Sequence, residues 1–205
     1  MSAASTVTLN SSPFIEWLRS NEFKVIVWDM DCTMSAGHCG PGLTLDQLDT
    51  YVDGVSCDFV SAMHTIQEAN THQGCSFRCA VATGSDPYEY DLPGQSRETH
   101  ILGPDLATKL ITKHCPETLY LFEIMIGYDC RLHLSEQDKD VNYEGKREHM
   151  RRIQKHYNVP FKNMVLIDDS ASSLVNEDGW VGVRVLGKEG FKFVHCYSAD
   201  AGTAN

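Results

Sequence analysis

The fold of this chain is decided by the stretch VIVWDMDCT at residues 25–33, in which four apolar residues run directly into a polar turn. Two later stretches have the same design, CAVATG at residues 79–84 and MVLIDD at residues 164–169. Apolar runs of this length are typical of strands that are buried on both faces of a parallel sheet. Ligands of such sheets bind beyond the carboxyl ends of the strands. We therefore expect the polar residues that follow these three runs to lie together at one edge of the sheet.

Helical patterns alternate with the apolar runs, which predicts an α/β fold with a central parallel sheet and right-handed crossovers. The length fits one domain, 1–205, with a core at about 24–186 and flexible ends at 1–10 and 200–205. Strands are expected at about 24–28, 77–82, 119–126, 163–167 and 181–186. Helices are expected from Ser12-Pro13 onward and at about 56–70, 105–114, 146–157 and 171–176. Polar stretches at 34–54, 85–104 and 129–145 are predicted to be loops, and we call residues 34–54 the flap.

Composition narrows the class of protein. The net charge of −11 argues against a general nucleic-acid binder or a protein that binds anionic membranes. No apolar run reaches the roughly 18 residues of a membrane-spanning helix, and residues 1–10 lack the order of a secretory signal. We therefore expect a cytoplasmic protein whose eight cysteines are free thiols. The sequence leaves the oligomeric state open.

The aspartates beyond the strands suggest a metal site with reactive carboxylates. Asp29, Asp31, Asp168 and Asp169 supply only oxygen ligands, a set that suits Mg²⁺. An aspartate beside a metal can act as a nucleophile and form an aspartyl-phosphate. A second aspartate can protonate the leaving oxygen and then activate water.

Lys146 needs a partner, because it precedes Met150 and Ile153 at the spacing of a buried helix stripe. A buried lysine is costly unless carboxylate or phosphate groups surround it. Lys146 is therefore expected to face the aspartates. Thr83 supplies a hydroxyl, and Gly84 lets backbone N–H groups approach a phosphate closely.

Together these segments resemble the four motifs of the haloacid dehalogenase (HAD) superfamily, in its phosphatase branch. The run from Asp29 to Thr33 resembles the DxDx[TV] signature, Thr83 the second motif, Lys146 the third, and Asp168-Asp169 the fourth. The resemblance covers roughly 24–186 and is similar in style to the capless magnesium-dependent phosphatase group. It implies a Rossmann-like three-layer sandwich without a large cap domain.

The resemblance also implies a role for each motif residue. Asp29 would be the nucleophile and a Mg²⁺ ligand, and Asp31 the general acid/base and a ligand through its backbone carbonyl. Thr83 and Lys146 would hold the transferring phosphoryl group.

In the fourth motif, Asp169 is favoured as the direct metal ligand, with Asp168 supporting Lys146 or a metal-bound water. Which of the two is the ligand stays open. Thr33 would hydrogen-bond near the nucleophile.

The function expected from these residues is a Mg²⁺-dependent phosphomonoester hydrolase that works through phospho-Asp29. Its substrate would be a phosphoprotein or another phosphorylated compound, including a small metabolite. A non-catalytic module that binds a phosphorylated ligand is one alternative, and a phosphotransferase to an acceptor other than water is another.

Two further features have a plain interpretation beside a functional one. Arg97, in the loop at 85–104, is a candidate phosphate contact, although a surface or structural role is the simpler explanation. The segment at 146–162 contains six Lys or Arg residues and one acid, Glu148. It forms either a solvated helix face or a basic lip for an anionic substrate.

Overall fold

The computed structural model describes residues 12–39, 43–84, 96–127, 146–174, 178–186 and 189–192. The expected flexible ends at 1–10 and 200–205 and the loop at 129–145 lie outside the described residues, as do residues 85–95 of the loop at 85–104.

The described residues form a five-stranded parallel sheet with helices on both faces, which confirms the predicted α/β fold class. The strands of the sheet are ordered β5-β3-β1-β6-β7, so the first strand in sequence lies at the centre. In chain order the elements are α1 (Pro13–Ser20), β1 (Val25–Trp28), β2 (Leu43–Thr44), α2 (Leu48–Asp53), α3 (Cys57–His72), β3 (Arg78–Thr83), β4 (His100–Ile101), α4 (Gly103–His114), β5 (Phe122–Gly127), α5 (Arg147–Tyr157), β6 (Met164–Asp168) and β7 (Val181–Arg184).

The register of the sheet brings the ends of three strands level. Trp28, the last residue of β1, pairs with Val81 of β3 and with Ile167 of β6. The next residue, Asp29, continues this pairing through its N–H, which donates to the Ile167 carbonyl at 2.9 Å. Polar residues that follow β1, β3 and β6 therefore emerge at one edge, as the sequence predicts.

Side chains of the central strand alternate between two cores, because successive residues of a strand point to opposite faces. Ile26 and Trp28 belong to the larger core, under α1, α3 and α4, where the Trp28 ring meets Phe59 and Phe191 edge-on at 5.1 Å. Val25 and Val27 belong to the smaller core under α5. Burial on both faces explains why this strand has no polar residue.

Helix α1 begins where the sequence predicts. The Ser12 hydroxyl accepts a hydrogen bond from the Ile15 N–H at 3.4 Å, and Pro13 occupies the first helical position, where its missing N–H costs nothing.

The flap departs from its prediction as a loop, because it contains β2 and helix α2. β2 pairs antiparallel with β4, with Leu43 opposite Ile101. Within α2, Leu48, Tyr51 and Val52 follow helical spacing and turn inward, and Tyr51 and Val52 are buried. This short apolar stripe stabilises the helix. The polar composition of the flap as a whole does not predict it.

Other parts of the chain also differ from the prediction. The stretch expected as a loop at 85–104 contains β4, and α4 begins within it at Gly103 rather than at 105. A 3₁₀ turn over Pro116–Leu121 precedes β5, which therefore begins at Phe122 rather than at residue 119. The helix expected at 171–176 is a 3₁₀ turn over Ala171–Leu174 in the described residues. None of the helices in the described ranges combines the length and the apolar character needed to cross a membrane.

Candidate active site

The polar turn after β1 changes direction sharply. Asp31 has extended backbone angles (φ −69°, ψ 136°), and Cys32 has a positive φ of 53°. The turn is closed by the Cys32 N–H, which donates to the Gly37 carbonyl at 3.0 Å, and by the Ser35 N–H, which donates to the Met30 carbonyl at 3.1 Å. This geometry sends the carboxylates of Asp29 and Asp31 to different partners.

Asp29 is paired with Lys146, as the sequence predicts. The two side chains are 9% and 3% exposed, and Lys146 Nζ lies 2.5 Å from Asp29 Oδ1. Lys146 Nζ also donates to the Ala82 carbonyl and lies 3.6 Å from Asp168 Oδ2. Three oxygen partners therefore surround the ammonium group, which is what a lysine at this depth requires.

Asp29, Asp168 and Asp169 form a cluster of carboxylates. Each offers one oxygen, and these three oxygens lie within 4.8 Å of one another. Asp168 Oδ1 accepts a hydrogen bond from the Ser170 N–H at 2.8 Å. Its other oxygen, Oδ2, is buried and has no hydrogen-bond partner in the described part of the chain.

This cluster fits a divalent cation. Three carboxylates facing one ammonium group leave two negative charges uncompensated when all are ionised. The donor set consists only of oxygens, which suits Mg²⁺, and the buried Asp168 Oδ2 accepts no hydrogen bond from the described residues. The carboxylate of Asp31 lies outside the cluster.

Burial changes the acidity of the cluster. Desolvation raises the pKa of Asp29 from 3.8 to about 7, and the charge of Asp168 adds to the rise while Lys146 opposes it. Desolvation also raises the pKa of Asp168, again against the effect of Lys146. A bound cation would favour the ionised form of both carboxylates, so metal binding and deprotonation are coupled at this site.

The carboxylate of Asp31 is held by the flap. The Tyr51 hydroxyl donates to Oδ1 at 2.5 Å. The other oxygen, Oδ2, accepts hydrogen bonds from the N–H and the thiol of Cys39, at 3.1 and 3.2 Å, and lies 2.8 Å from His38 Nδ1. All of these partners belong to the flap, which therefore fixes the position of the Asp31 carboxylate.

The second-motif residues lie at the end of β3. Thr83 is 2% exposed, and its carbonyl lies 3.2 Å from His149 Nε2. Because a carbonyl only accepts, that ring nitrogen carries the proton in this hydrogen bond. Gly84 is exposed, and a Cβ placed on it would meet no atom of the described residues within 4 Å, so none of them covers the backbone there.

Thr33 is fully buried within the turn that follows β1. Its carbonyl accepts a hydrogen bond from the Phe191 N–H at 2.8 Å. Its hydroxyl has no hydrogen-bond partner among the described residues, so the hydrogen bond expected near Asp29 is not present.

Arg97 lies away from the motif residues. Its exposed guanidinium is 3.6 Å from the Asp105 carboxylate at the start of α4. It lines a groove of about 370 Å³ together with Leu45, His100 and Lys109, and none of the motif residues lines that groove. The structure thus gives Arg97 a surface contact and does not bring it to the acidic cluster.

Part of the basic segment at 146–162 is engaged in ion pairs. The side chains of Arg147 and Arg151 lie 3.0 and 3.4 Å from Asp178 Oδ2. Their hydrogen bonds lower the pKa of Asp178, with the contact from Arg147 contributing most. These two arginines therefore have an acidic partner within the protein.

Sequence reasoning missed several contacts of the site, among them the partners of Asp31 in the flap and the contact of His149 with Thr83. Tyr51 lies in a helix that was not predicted. His149 could have been found, since it is three residues after Lys146 on the same face of α5.

Comparisons with known proteins agree with the fold. No protein-family profile and no curated protein sequence matches the chain. Among solved structures, the N-terminal part of the protein BF1531 from Bacteroides fragilis, described as containing a phosphatase domain complexed with Mg, matches with a TM-score of 0.53 and 16% sequence identity. The match covers 89% of this chain and 42% of the Bacteroides chain, so this chain spans less than half the length of the Bacteroides chain.

An uncharacterized protein from Listeria monocytogenes serotype 4b also matches, with a TM-score of 0.49, 10% identity and 83% coverage of each chain, values too low for further comparison. The likeness to the Bacteroides structure is one of fold, shared with part of that chain.

Proposed function

We propose that this protein is a Mg²⁺-dependent phosphatase of the HAD type, which hydrolyses a phosphomonoester through an aspartyl-phosphate on Asp29. One observation carries the proposal. The Asp29 carboxylate is buried at the edge of the sheet, 2.5 Å from Lys146 and close enough to Asp168 and Asp169 for one ion to contact all three. The substrate is a phosphoprotein or another phosphorylated compound.

The carboxylates of Asp29, Asp168 and Asp169 would hold the Mg²⁺, together with the backbone carbonyl of Asp31 that the motif resemblance implies. The bound ion supplies charge stabilisation for the phosphoryl oxygens. The remaining chemistry belongs to side chains of this chain.

In the first step, an Asp29 oxygen forms a bond to phosphorus while the bond from phosphorus to the ester oxygen breaks. The leaving oxygen takes a proton from Asp31. Lys146 supports this step because its ammonium favours the ionised, nucleophilic form of Asp29. Thr83 and the backbone N–H groups at Gly84 would contact the phosphoryl oxygens.

In the second step, water attacks the phosphorus of the aspartyl-phosphate and gives its proton to Asp31. The bond between phosphorus and the Asp29 oxygen breaks, which releases inorganic phosphate and restores both carboxyl groups. Asp31 thus donates one proton and recovers one in each cycle.

The direct test is the release of inorganic phosphate from p-nitrophenyl phosphate and from a panel of phosphopeptides and small phosphoesters. Wild type should be active with Mg²⁺ and inactive with EDTA. Asp29→Asn should lose turnover because the amide is not a nucleophile. Asp46→Asn, which changes an exposed aspartate, should keep it. Asp31→Asn should accumulate acid-stable phosphoprotein, since breakdown of the intermediate needs a base.

Three results would redirect the proposal. Wild-type turnover by Asp29→Asn would refute the covalent mechanism. Magnesium binding without turnover of any panel member would favour a module that binds phosphorylated ligands. Transfer of the phosphoryl group to added alcohols in place of water would favour a phosphotransferase.

A further inference from the structure

We infer that Tyr51 is a positioning residue that orients Asp31 for proton transfer. This inference rests on the proposed function, in which Asp31 is the general acid/base. Tyr51 acts through Asp31: its hydroxyl lies 2.5 Å from Asp31 Oδ1, and the Asp31 carboxylate is not part of the acidic cluster.

The two oxygens of Asp31 are held unequally. Oδ2 has three neighbours, the N–H and thiol of Cys39 and the ring of His38. In the described part of the chain, the hydroxyl of Tyr51 is the sole donor to Oδ1. Loss of that one hydroxyl would therefore free Oδ1 while Oδ2 kept its contacts, and the carboxylate could rotate.

The Tyr51 ring is itself fixed in place. It is 6% exposed and packs against Gly37, where an added Cβ would approach its Cδ2 to 2.8 Å. Its carbonyl accepts a hydrogen bond from the Ser35 hydroxyl at 3.2 Å. The hydroxyl at the end of this fixed ring is the donor in the hydrogen bond to Asp31 Oδ1.

Helix α2, which carries Tyr51, is anchored to the end of α4. Nε2 of His114 donates to the Val52 carbonyl at 2.9 Å, and Lys113 Nζ lies 2.7 Å from Asp53 Oδ1. These contacts connect the flap helix to the main body of the fold. The Tyr51 hydroxyl is therefore held by a helix that is fixed to the rest of the fold, as a positioning group requires.

Tyr51→Phe tests the inference because it removes only the hydroxyl. General acid–base catalysis contributes about 10²–10⁴ in rate, and a misplaced group can cost about 10². We expect kcat for an alkyl phosphate such as phosphoserine to fall about 10–100-fold with KM unchanged. The loss for p-nitrophenyl phosphate should be smaller, because its leaving group needs less protonation.

Tyr157→Phe is the matched control. It also removes a buried tyrosine hydroxyl, one that donates to the Cys79 carbonyl at 2.6 Å outside the site. This variant should keep the wild-type ratio of the two substrates' rates. If Tyr157→Phe changed that ratio as much as Tyr51→Phe does, the effect would come from general destabilisation and the inference would be overturned.

A double-mutant cycle separates positioning from structure. In the Asp31→Asn background, Tyr51→Phe should have no further effect on kcat, because the residue that it positions no longer transfers protons. A full additional loss there, or wild-type kinetics of Tyr51→Phe on both substrates, would overturn the inference.

The same four proteins provide a readout that needs no activity. If Tyr51 and Asp31 interact, their effects on the urea midpoint should be non-additive, whereas additive shifts would refute the contact. A wild type inactive on the whole panel would count against the proposed phosphatase, and additive urea midpoints would count against the positioning.

Discussion

Asp29→Asn should gain stability relative to wild type as the pH rises from 4 to 8 in the absence of metal. The quantity compared is the difference in unfolding free energy between the variant and wild type at each pH. Burial raises the pKa of Asp29 from 3.8 to about 7, so the folded state binds a proton at pH values where the unfolded state has released it. Wild-type stability therefore declines as the pH rises from about 4 to about 7. Asn, which is neutral throughout, does not have this decline.

The size of the effect follows from the shift. At about 1.4 kcal/mol for each pKa unit, ionising the buried carboxylate costs about 4 kcal/mol at pH 8. The difference in unfolding free energy between Asp29→Asn and wild type should thus change by about 4 kcal/mol, in favour of the variant, from pH 4 to pH 8.

The assay is urea unfolding of both proteins in EDTA at several pH values. Added Mg²⁺ should then narrow the relative advantage of the variant, because a ligand at 100 times its Kd stabilises the folded state by about 2.7 kcal/mol and the variant lacks one of the proposed metal ligands. A difference that is constant with pH, or that changes in the opposite direction, would refute the argument that Asp29 is a desolvated carboxylate. Asp53→Asn is a control in which the pH dependence should have the opposite sign. Hydrogen bonding to Lys113 lowers the pKa of Asp53, so the stability that the ionised Asp53 contributes to wild type is lost as the pH falls.

Three further outcomes are expected. Lys146→Met should destabilise the metal-free protein by about 3–5 kcal/mol at pH 8, because it removes the buried ammonium that faces Asp29 and Asp168; a loss below about 1 kcal/mol in urea unfolding would contradict this. Gly190→Ala should cost about 1–3 kcal/mol, since φ is +78° and the new Cβ would lie 2.9 Å from Ser56 Cβ; an unchanged melting temperature would show that the backbone adapts. Gly37→Ala should lower kcat in the manner of Tyr51→Phe, because its Cβ displaces the Tyr51 ring, and normal kinetics would argue against that coupling.

The sheet and the centre of the site could be predicted from sequence because each depends on a local pattern. The run at 25–28 is apolar at every position, which requires burial on both faces, and the structure places it at the centre of the sheet. Lys146 lies on the apolar stripe of its helix, so it had to find an acidic partner, and it pairs with Asp29.

The flap could not be predicted in the same way. Helix α2 has only six residues, too few to form alone, and it is stabilised by contacts with α4 that are distant in sequence. The hydrogen bond from Tyr51 to Asp31 spans 20 residues and depends on the left-handed turn at Cys32. Neither feature has a local sequence signal, so the position of the Asp31 carboxylate emerges only from the folded chain.

The order of strands has a consequence for how the protein is made on the ribosome. β1 is central, yet its neighbour β6 and the partner of Asp29, Lys146, are translated much later, Lys146 by 117 residues. Phe191, whose N–H reaches the Thr33 carbonyl, follows later still. A nascent chain that ends after β5 therefore carries the central strand with one edge unpaired, and such an edge can pair with other chains. The cluster around Asp29 is therefore completed last, and synthesis that stops before Lys146 should produce fragments that aggregate.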